Sequence, residues 1–375
     1  MNLYQEQLNI FSSKAFKRLK EKTQIIENDK GFTSAADRMS HSLQVGIVSK
    51  MIADKLPQNF NISKERLFNV CLLHDIGHPP YGHYFETILN EILKENTKYK
   101  FEGNANNFVV IDKEHIEISD LTLVSLIKYP KRLDCKKGIY SYQYEKLIKK
   151  LAKEYINQQE FLIKHGYMSE NKKKIKIVKK LLKNKDYDKL GELNLRTIES
   201  NIMEFSDDIA YLTQDIVDFL RSDLATSKRL IDYINKDNLD YINLSKEYKK
   251  ILNKINLKNS EKQITKLRKL LIEDSFMNLK TGEMNFSSKE SLFICNILRK
   301  ISMDNFIIPV TDRISKKIDK EKVIKKYFNN LENEEKIKKI VVSDTYLKLI
   351  LNTNNIEKRY RYMANFLAEK IDSWL

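Results

Sequence analysis

Three cysteines, nine glycines, five prolines and one tryptophan are all that 375 residues contain of those types. The cysteines, Cys71, Cys135 and Cys295, are odd in number, widely spaced and without a CxxC pair. That excludes a disulfide framework and fits a reducing compartment, so the cytoplasm is the expected location. Scarce Gly and Pro leave little turn material for a sandwich or barrel, so an all-α, mainly helical fold is expected. No stretch approaches the roughly 18 uninterrupted apolar residues of a membrane span. Met1 to Lys20 has no signal-like apolar core, so a soluble, unprocessed chain with no membrane partner is expected. Arginine supplies only 12 of the 67 basic residues, and the net charge of +16 is therefore a lysine excess. Surface lysine reads either as a solvated face or as a site for a polyanion, and charge alone does not choose.

What is abundant is apolar material: 42% hydrophobic residues, with 17 Phe and 19 Tyr, too much for a disordered chain. The length allows a large core without staples. Histidine is concentrated, with His41, His74, His78 and His83 close together and only His115 and His165 elsewhere. Ser34 to Asp37 reads as a capping box opening a helix towards Leu56, on which Arg38, His41 and Val45 share a face. A second helix starts near Ser63 and carries Leu67, Val70 and Cys71 towards His74-Asp75, ending at Gly77 and Pro79-Pro80. Short helices follow over 102–111 and 120–128, then a lysine-rich helical stretch over 140–189 that includes a basic amphipathic segment from Lys172. The apolar stripe Ile198, Ile202, Phe205, Ile209, Leu212, Ile216 and Phe219 predicts a long helix from about Leu195 to Leu220, with an acidic opposite face. Leu244 to Ile272 is coiled-coil-like without strict heptads. No linker composition divides the chain, so it reads as one helical body, a core over 1–225 with a C-terminal helical region, 226–375, packed on it.

His41, His74-Asp75 and an aspartate on a later helix form the set a divalent metal needs, two imidazoles and two carboxylates from three elements. Asp207, Tyr211 and Asp215 stand at i, i+4 and i+8, one helical stripe that is either a solvated acidic face or a row presenting carboxylate, ring and carboxylate to a ligand. His83 and Glu86, three apart, can pair so that the carboxylate orients the imidazole.

The motifs resemble the HD superfamily of metal-dependent phosphohydrolases, and within it the deoxyguanosinetriphosphate triphosphohydrolase (dNTPase) branch. Arg38-Met-Ser-His41-Ser resembles the R-x-x-H-S element, and the run from His74 to Glu86 resembles HDxGHxPFGHxxE. Phe101 to Ala105, Lys128-Tyr129-Pro130, Asp207 to Tyr211 and the N-terminal Arg18 to Gln24 follow in the family's order. The resemblance implies an HD-domain helical core with one divalent ion held by His41, His74, Asp75 and Asp207, Mn²⁺ foremost and Mg²⁺ or Fe²⁺ as other candidates. It places His83, oriented by Glu86, near the scissile phosphate, with His78 contacting phosphate or supporting the site. Arg38, Lys128 and Tyr129 become triphosphate or sugar contacts, Asn104 and Gln24 reach sugar or base edges, and Tyr211 lies under the sugar with Asp215 at its 3′-hydroxyl. The implied reaction converts a deoxynucleoside triphosphate, dGTP foremost, to the deoxynucleoside and tripolyphosphate. An allosteric dNTP, single-stranded DNA and a hexameric or tetrameric assembly are the implied partners. Phe85, where bacterial members usually have glycine, departs from the pattern, and Asn365 to Asp372 resembles the closing DYIAGMTD element only faintly. Two alternatives stand beside this reading: an HD-type nucleotidase or phosphodiesterase, and a catalytically silent nucleotide- or nucleic-acid-binding regulator.

Overall fold

The computed structural model describes residues 2–23, 37–60, 62–130, 144–164, 172–236 and 238–374, and its helices begin where a side-chain acceptor meets the apolar spacing. Asn2 and Ser13 cap α1 (Leu3–Ser12) and α2 (Lys14–Arg18). Asp37 caps α3 (Arg38–Lys55) by accepting from the Ser40 amide, and Ser63 caps α4 (Lys64–Leu73). The expected cap residue Ser34 lies outside the described residues. The observed start follows from pairing: Thr23 bridges Asp37, and Lys22 O takes the Arg38 amide at 2.9 Å, so the chain before Arg38 is extended. Then come α5 (Gly82–Asn96), α6 (Gly103–Lys113), α7 (Asp120–Ser125), α8 (Tyr144–Lys164), α9 (Lys172–Lys183) and α10 (Tyr187–Glu192). Thr197 caps the longest helix, α11 (Ile198–Arg221).

Helix α11 is the axle of the fold, packed by α3, α4, α7, α14 (Ser260–Asp274) and α15 (Lys289–Ser302). Ile202, Ile209, Ile216 and Phe219 are buried as their spacing predicts. Phe205, at the edge of that stripe, is half-buried against Phe286 with ring centroids 4.9 Å apart. The opposite face differs from the expected acidic surface, because Asp215 and Asp218 are also buried. A helix enclosed by neighbours on most of its circumference must take its polar residues inward and satisfy them there.

The C-terminal region adds α12 (Leu239–Ile242), α13 (Lys246–Lys254), a two-stranded antiparallel hairpin (β1 Ser275–Met277, β2 Met284–Phe286), α16 (Ile308–Lys317), α17 (Lys320–Val323), α18 (Glu334–Ile340), α19 (Asp344–Leu351) and α20 (Ile356–Ala368). The coiled-coil-like stretch is two helices, α13 and α14. An Asn-rich turn breaks it, where Ile255 O accepts from the Leu230 amide and Asn259 caps Asn256 N. Helix α20 packs on α5, which brings the far end of the chain beside the histidine-bearing segment. Cys71 and Cys295 are buried free thiols, as packing residues would be. No helix among the described residues is long and apolar enough to cross a membrane.

Candidate metal centre

The His74-Asp75 pair stands just past the end of α4 in a turn rather than inside the helix. His74 is its C-cap, and Leu73 O accepts from the Ile76 amide. Two buried asparagines of α6 fasten that turn. Asn107 accepts from the Gly77 amide at 2.7 Å and donates to His74 O at 2.6 Å, while Asn106 donates to Gly77 O at 2.8 Å. The approach is so close that a Cβ on Gly77 would lie 2.3 Å from the Asn107 backbone nitrogen, so only glycine fits. Asn106 and Asn107 escaped the sequence reading, although amides at core-facing positions of a helix are a signal of buried backbone partners.

This turn aims the ligand atoms. His74 Nδ1 lies 2.7 Å from Cys71 O. A carbonyl only accepts, so Nδ1 carries the proton and Nε2 presents its lone pair. That Nε2 is buried, makes no hydrogen bond, and sits 3.4 Å from Asp75 Oδ1 and 3.5 Å from Asp207 Oδ1. His41, on the buried face of α3, brings its Nε2 within 2.8 Å of the same Asp207 oxygen. Ligand atoms of His41, His74 and Asp75 all lie within 4.8 Å of one another. Two nitrogens and two carboxylates converging on one buried, unpartnered imidazole nitrogen fit a divalent first-row metal ion.

Each carboxylate spends its second oxygen on a cation. Arg38 Nη1 donates to Asp75 Oδ2 at 2.7 Å, and Lys128 Nζ donates to Asp207 Oδ2 at 2.6 Å. Both basic residues, expected as triphosphate or sugar contacts, thus each bond one carboxylate of the cluster. Burial opposes charge on Asp75, but His74, His78 and Arg38 outweigh it and hold the carboxyl well below its ordinary range. Asp207 is likewise held low against burial, by Lys128, His74 and the bond from His41. Burial lowers the His74 pKa, yet Asp75 and Asp207 overcome it and raise it, the mark of a point that attracts positive charge.

Around this centre the remaining expected residues divide. His78 is buried with Nδ1 3.2 Å from Asp75 Oδ1, and burial keeps its pKa far below the usual value, so it is neutral. His83 stands at the rim with 85% of its side chain exposed, its ring 6.1 Å from that of His78. Its Nδ1 lies 3.2 Å from Glu86 Oε2, and Glu86 Oε1 accepts from the Gly103 amide at 3.3 Å. The bond to Glu86 raises the His83 pKa. Tyr211 is half-buried one turn beyond Asp207, its hydroxyl pKa raised by burial. Three residues lie apart. Asp215 is buried and accepts from Ser302 at 2.6 Å, Asn104 donates to Glu102 within the cap of α6, and half-exposed Tyr129 lies under the Arg196 guanidinium. Gln24 is outside the described residues. Lys22 and Asp372, given no site role in sequence, reach the turn's outer side, Lys22 through His78 O at 2.6 Å and Asp372 through the Tyr81 amide at 3.1 Å.

The HD domain family matches residues 38–187, a span that opens at Arg38 and includes His41, His74 and Asp75. Residues 38–187 are thus similar to an HD domain. HD domains bind divalent metals, and His41, His74 and Asp75 of this segment are grouped so that they could hold such an ion. The chain is also similar to deoxyguanosinetriphosphate triphosphohydrolase-like proteins. One from Rickettsia bellii is 26% identical over 97% of this chain and 86% of its own length. One from Vibrio parahaemolyticus is 29% identical over 60% of this chain and 55% of its own, and one from Haemophilus influenzae 30% over 56% and 54%. The matches to the Vibrio and Haemophilus proteins thus span little more than half of those relatives. Asp207 lies beyond the matched HD segment, on the axle helix, and joins the HD residues through space.

Proposed function

We propose that this HD protein is a divalent-metal-dependent deoxynucleoside triphosphate triphosphohydrolase, with dGTP the first substrate to test, releasing the deoxynucleoside and tripolyphosphate. One observation carries it: an exposed imidazole, His83, backed by a carboxylate, stands at the rim of a four-ligand cluster open on the Asp207 side, where that side chain is 21% exposed. The near full-length likeness to the Rickettsia protein supports the nucleotide class.

Bound by His41, His74, Asp75 and Asp207, a divalent ion would supply charge neutralisation at a phosphoryl oxygen. The chain's own residues do the rest. A water oxygen forms the new bond to the α-phosphorus, the bond from that phosphorus to the 5′-oxygen breaks, the leaving oxygen takes a proton from His83 Nε2, and the proton that the attacking water gives up to solvent is matched by one that recharges His83. Glu86 favours the protonated imidazole, which suits a general acid. The fixed Arg38 helps keep Asp75 ionised, while Lys128 does so for Asp207 and leaves a cation within reach of bound phosphate. Tyr211 offers its ring to the sugar. Gln24 and Asn104 remain base or sugar candidates and Tyr129 a contact at the mouth. Asp215 recognises a sugar hydroxyl only if its bond to Ser302 opens.

The test is incubation of Mn²⁺-, Mg²⁺- or Fe²⁺-loaded protein with each dNTP, singly and mixed, with phosphorus products identified by NMR. Tripolyphosphate from the wild type, and a fall on the order of 100-fold or more with loss of bound metal in His41→Ala and Asp207→Ala, is expected. A gain in the mixture supports an activating dNTP. Orthophosphate or pyrophosphate would move the protein to a nucleotidase or phosphodiesterase reading. No product, with salt-sensitive single-stranded DNA affinity, would leave a binding role.

A further inference from the structure

We propose that a clamp closed by Lys22 and Asp372 positions the turn that carries His83, which makes residues 368–372 part of the working site although they touch no ligand of the metal. The activity arm rests on the function proposed above; the clamp itself rests on contacts alone.

Lys22 is 1% exposed, and a buried ammonium is costly unless its donors are taken. It donates to two backbone carbonyls far apart in the chain, His78 O at 2.6 Å and Ala368 O at 2.8 Å. Ala368 is the last residue of α20, where carbonyls have no partner within the helix. Asp372 closes the other side. Its Oδ2 accepts from the Thr23 amide at 2.7 Å and the Thr23 hydroxyl at 2.6 Å, its Oδ1 accepts from the Tyr81 amide, and its carbonyl accepts from the Tyr81 hydroxyl at 2.7 Å.

What is held is conformationally costly. Tyr81 has φ 57° and Gly82 φ 56°, two left-handed residues in succession, and a tyrosine adopts that region only where its surroundings hold it there. Asp372 secures Tyr81 at both its amide and its hydroxyl. Gly82 opens α5, whose first turn bears His83 and Glu86, so the dihedrals at 81–82 fix where the imidazole stands. The clamping segment is in turn tied to α6, because Glu369 accepts from Tyr346 and pairs with Lys113. The rim histidine is therefore held from below by Glu86 on Gly103 and from the side by the last turn of the chain.

Asp372→Ala and Tyr81→Phe in the full chain test this by amide hydrogen exchange, bound-metal content and steady-state kinetics. Loss of charge-assisted bonds predicts exchange at residues 78–83 faster by about tenfold or more in Asp372→Ala, with α3 and α11 as protected as in the wild type. Metal content is expected to stay the same, and kcat to fall about tenfold with KM little changed, since the proton donor and not the ligand set has moved. Tyr81→Phe, which opens no hole, is expected to do the same to a smaller degree and keeps the test valid if Asp372→Ala does not fold. Wild-type exchange over 78–83 in both variants would overturn the clamp. Unchanged kcat despite faster exchange, or a loss of activity matched by loss of metal and of α3 protection, would overturn positioning. A wild type that releases no tripolyphosphate would refute the nucleotide reading and leave the exchange result to judge the clamp.

Discussion

At the scale of single residues, two aspartates and a tyrosine on one stripe of α11 have three fates, and the difference lies in what the neighbouring helices bring. Asp207 meets Lys128 and two imidazoles, Tyr211 keeps a half-exposed ring, and Asp215 meets only Ser302 from α15. Spacing showed that they share a face; it did not show that α15 closes over the lower half of it. Burial, with a smaller contribution from nearby Asp218, pushes the Asp215 carboxyl up to about 8. Between its ordinary value of 3.8 and about 8, the folded chain then holds one proton more than the unfolded chain. Stability from this group is complete below the lower value and is lost as pH rises through the upper one. Asp215→Asn carries no such proton, so thermal melts at pH 5, 7 and 9 should show the wild type losing ground to the variant as pH increases. Parallel curves would mean that Asp215 is ionised in its buried place.

Among elements, the HD turn shows how much of the site is legible before any coordinates. That His41, His74, Asp75 and Asp207 come together was readable, because two histidines, an aspartate and a later aspartate in that order have a chemical meaning that their surroundings do not erase. Helix termini were partly readable: Ser63 and Thr197 cap as polar residues before apolar runs do, whereas the start of α3 depends on a pairing between Thr23 and Asp37 that no local pattern encodes. The supports were not readable. Arg38 and Lys128 look like phosphate contacts to anyone counting charge, and only the fold shows each committed to a carboxylate. Gly77 belongs with the supports. Adding one methyl there drives it into the α6 backbone, which cannot swing aside as a flexible side chain would, so Gly77→Ala is expected to cost about 3 kcal/mol and to displace His74. A lowered melting temperature together with weaker Mn²⁺ binding would bear this out; a variant with native metal affinity would show that the turn and α6 can move apart.

For the whole molecule, the boundary drawn after residue 225 follows the end of α11 but cuts through its packing. α14 and α15 cover that helix, and α20 lies on α5. Residues 1–225 expressed alone would expose the apolar flank of α11, including Phe219 and Ile216, and are expected to be aggregated or molten, with near-ultraviolet circular dichroism lost, while the full chain melts cooperatively. A cooperative, monomeric fragment would establish the core as an independent unit. On α9, Ile175 and Val178 turn inward while Lys172, Lys173, Lys176, Lys179 and Lys180 face water.

The clamp also sets an order of assembly. The contacts that shape the ligand turn are comparatively local, Arg38 with Asp75 across 37 residues and His74 with Asn107 across 33. Those that fix the rim join Lys22 to Ala368 and Thr23 to Asp372, across 346 and 349 residues. Closing loops of such different length separates the two events in time, because distant contacts wait for most of the chain to condense. A refolding chain would thus own its helices and the His74–Asp75 turn while the His83 rim is still adrift, and would complete that rim only when segments near residues 22 and 372 meet.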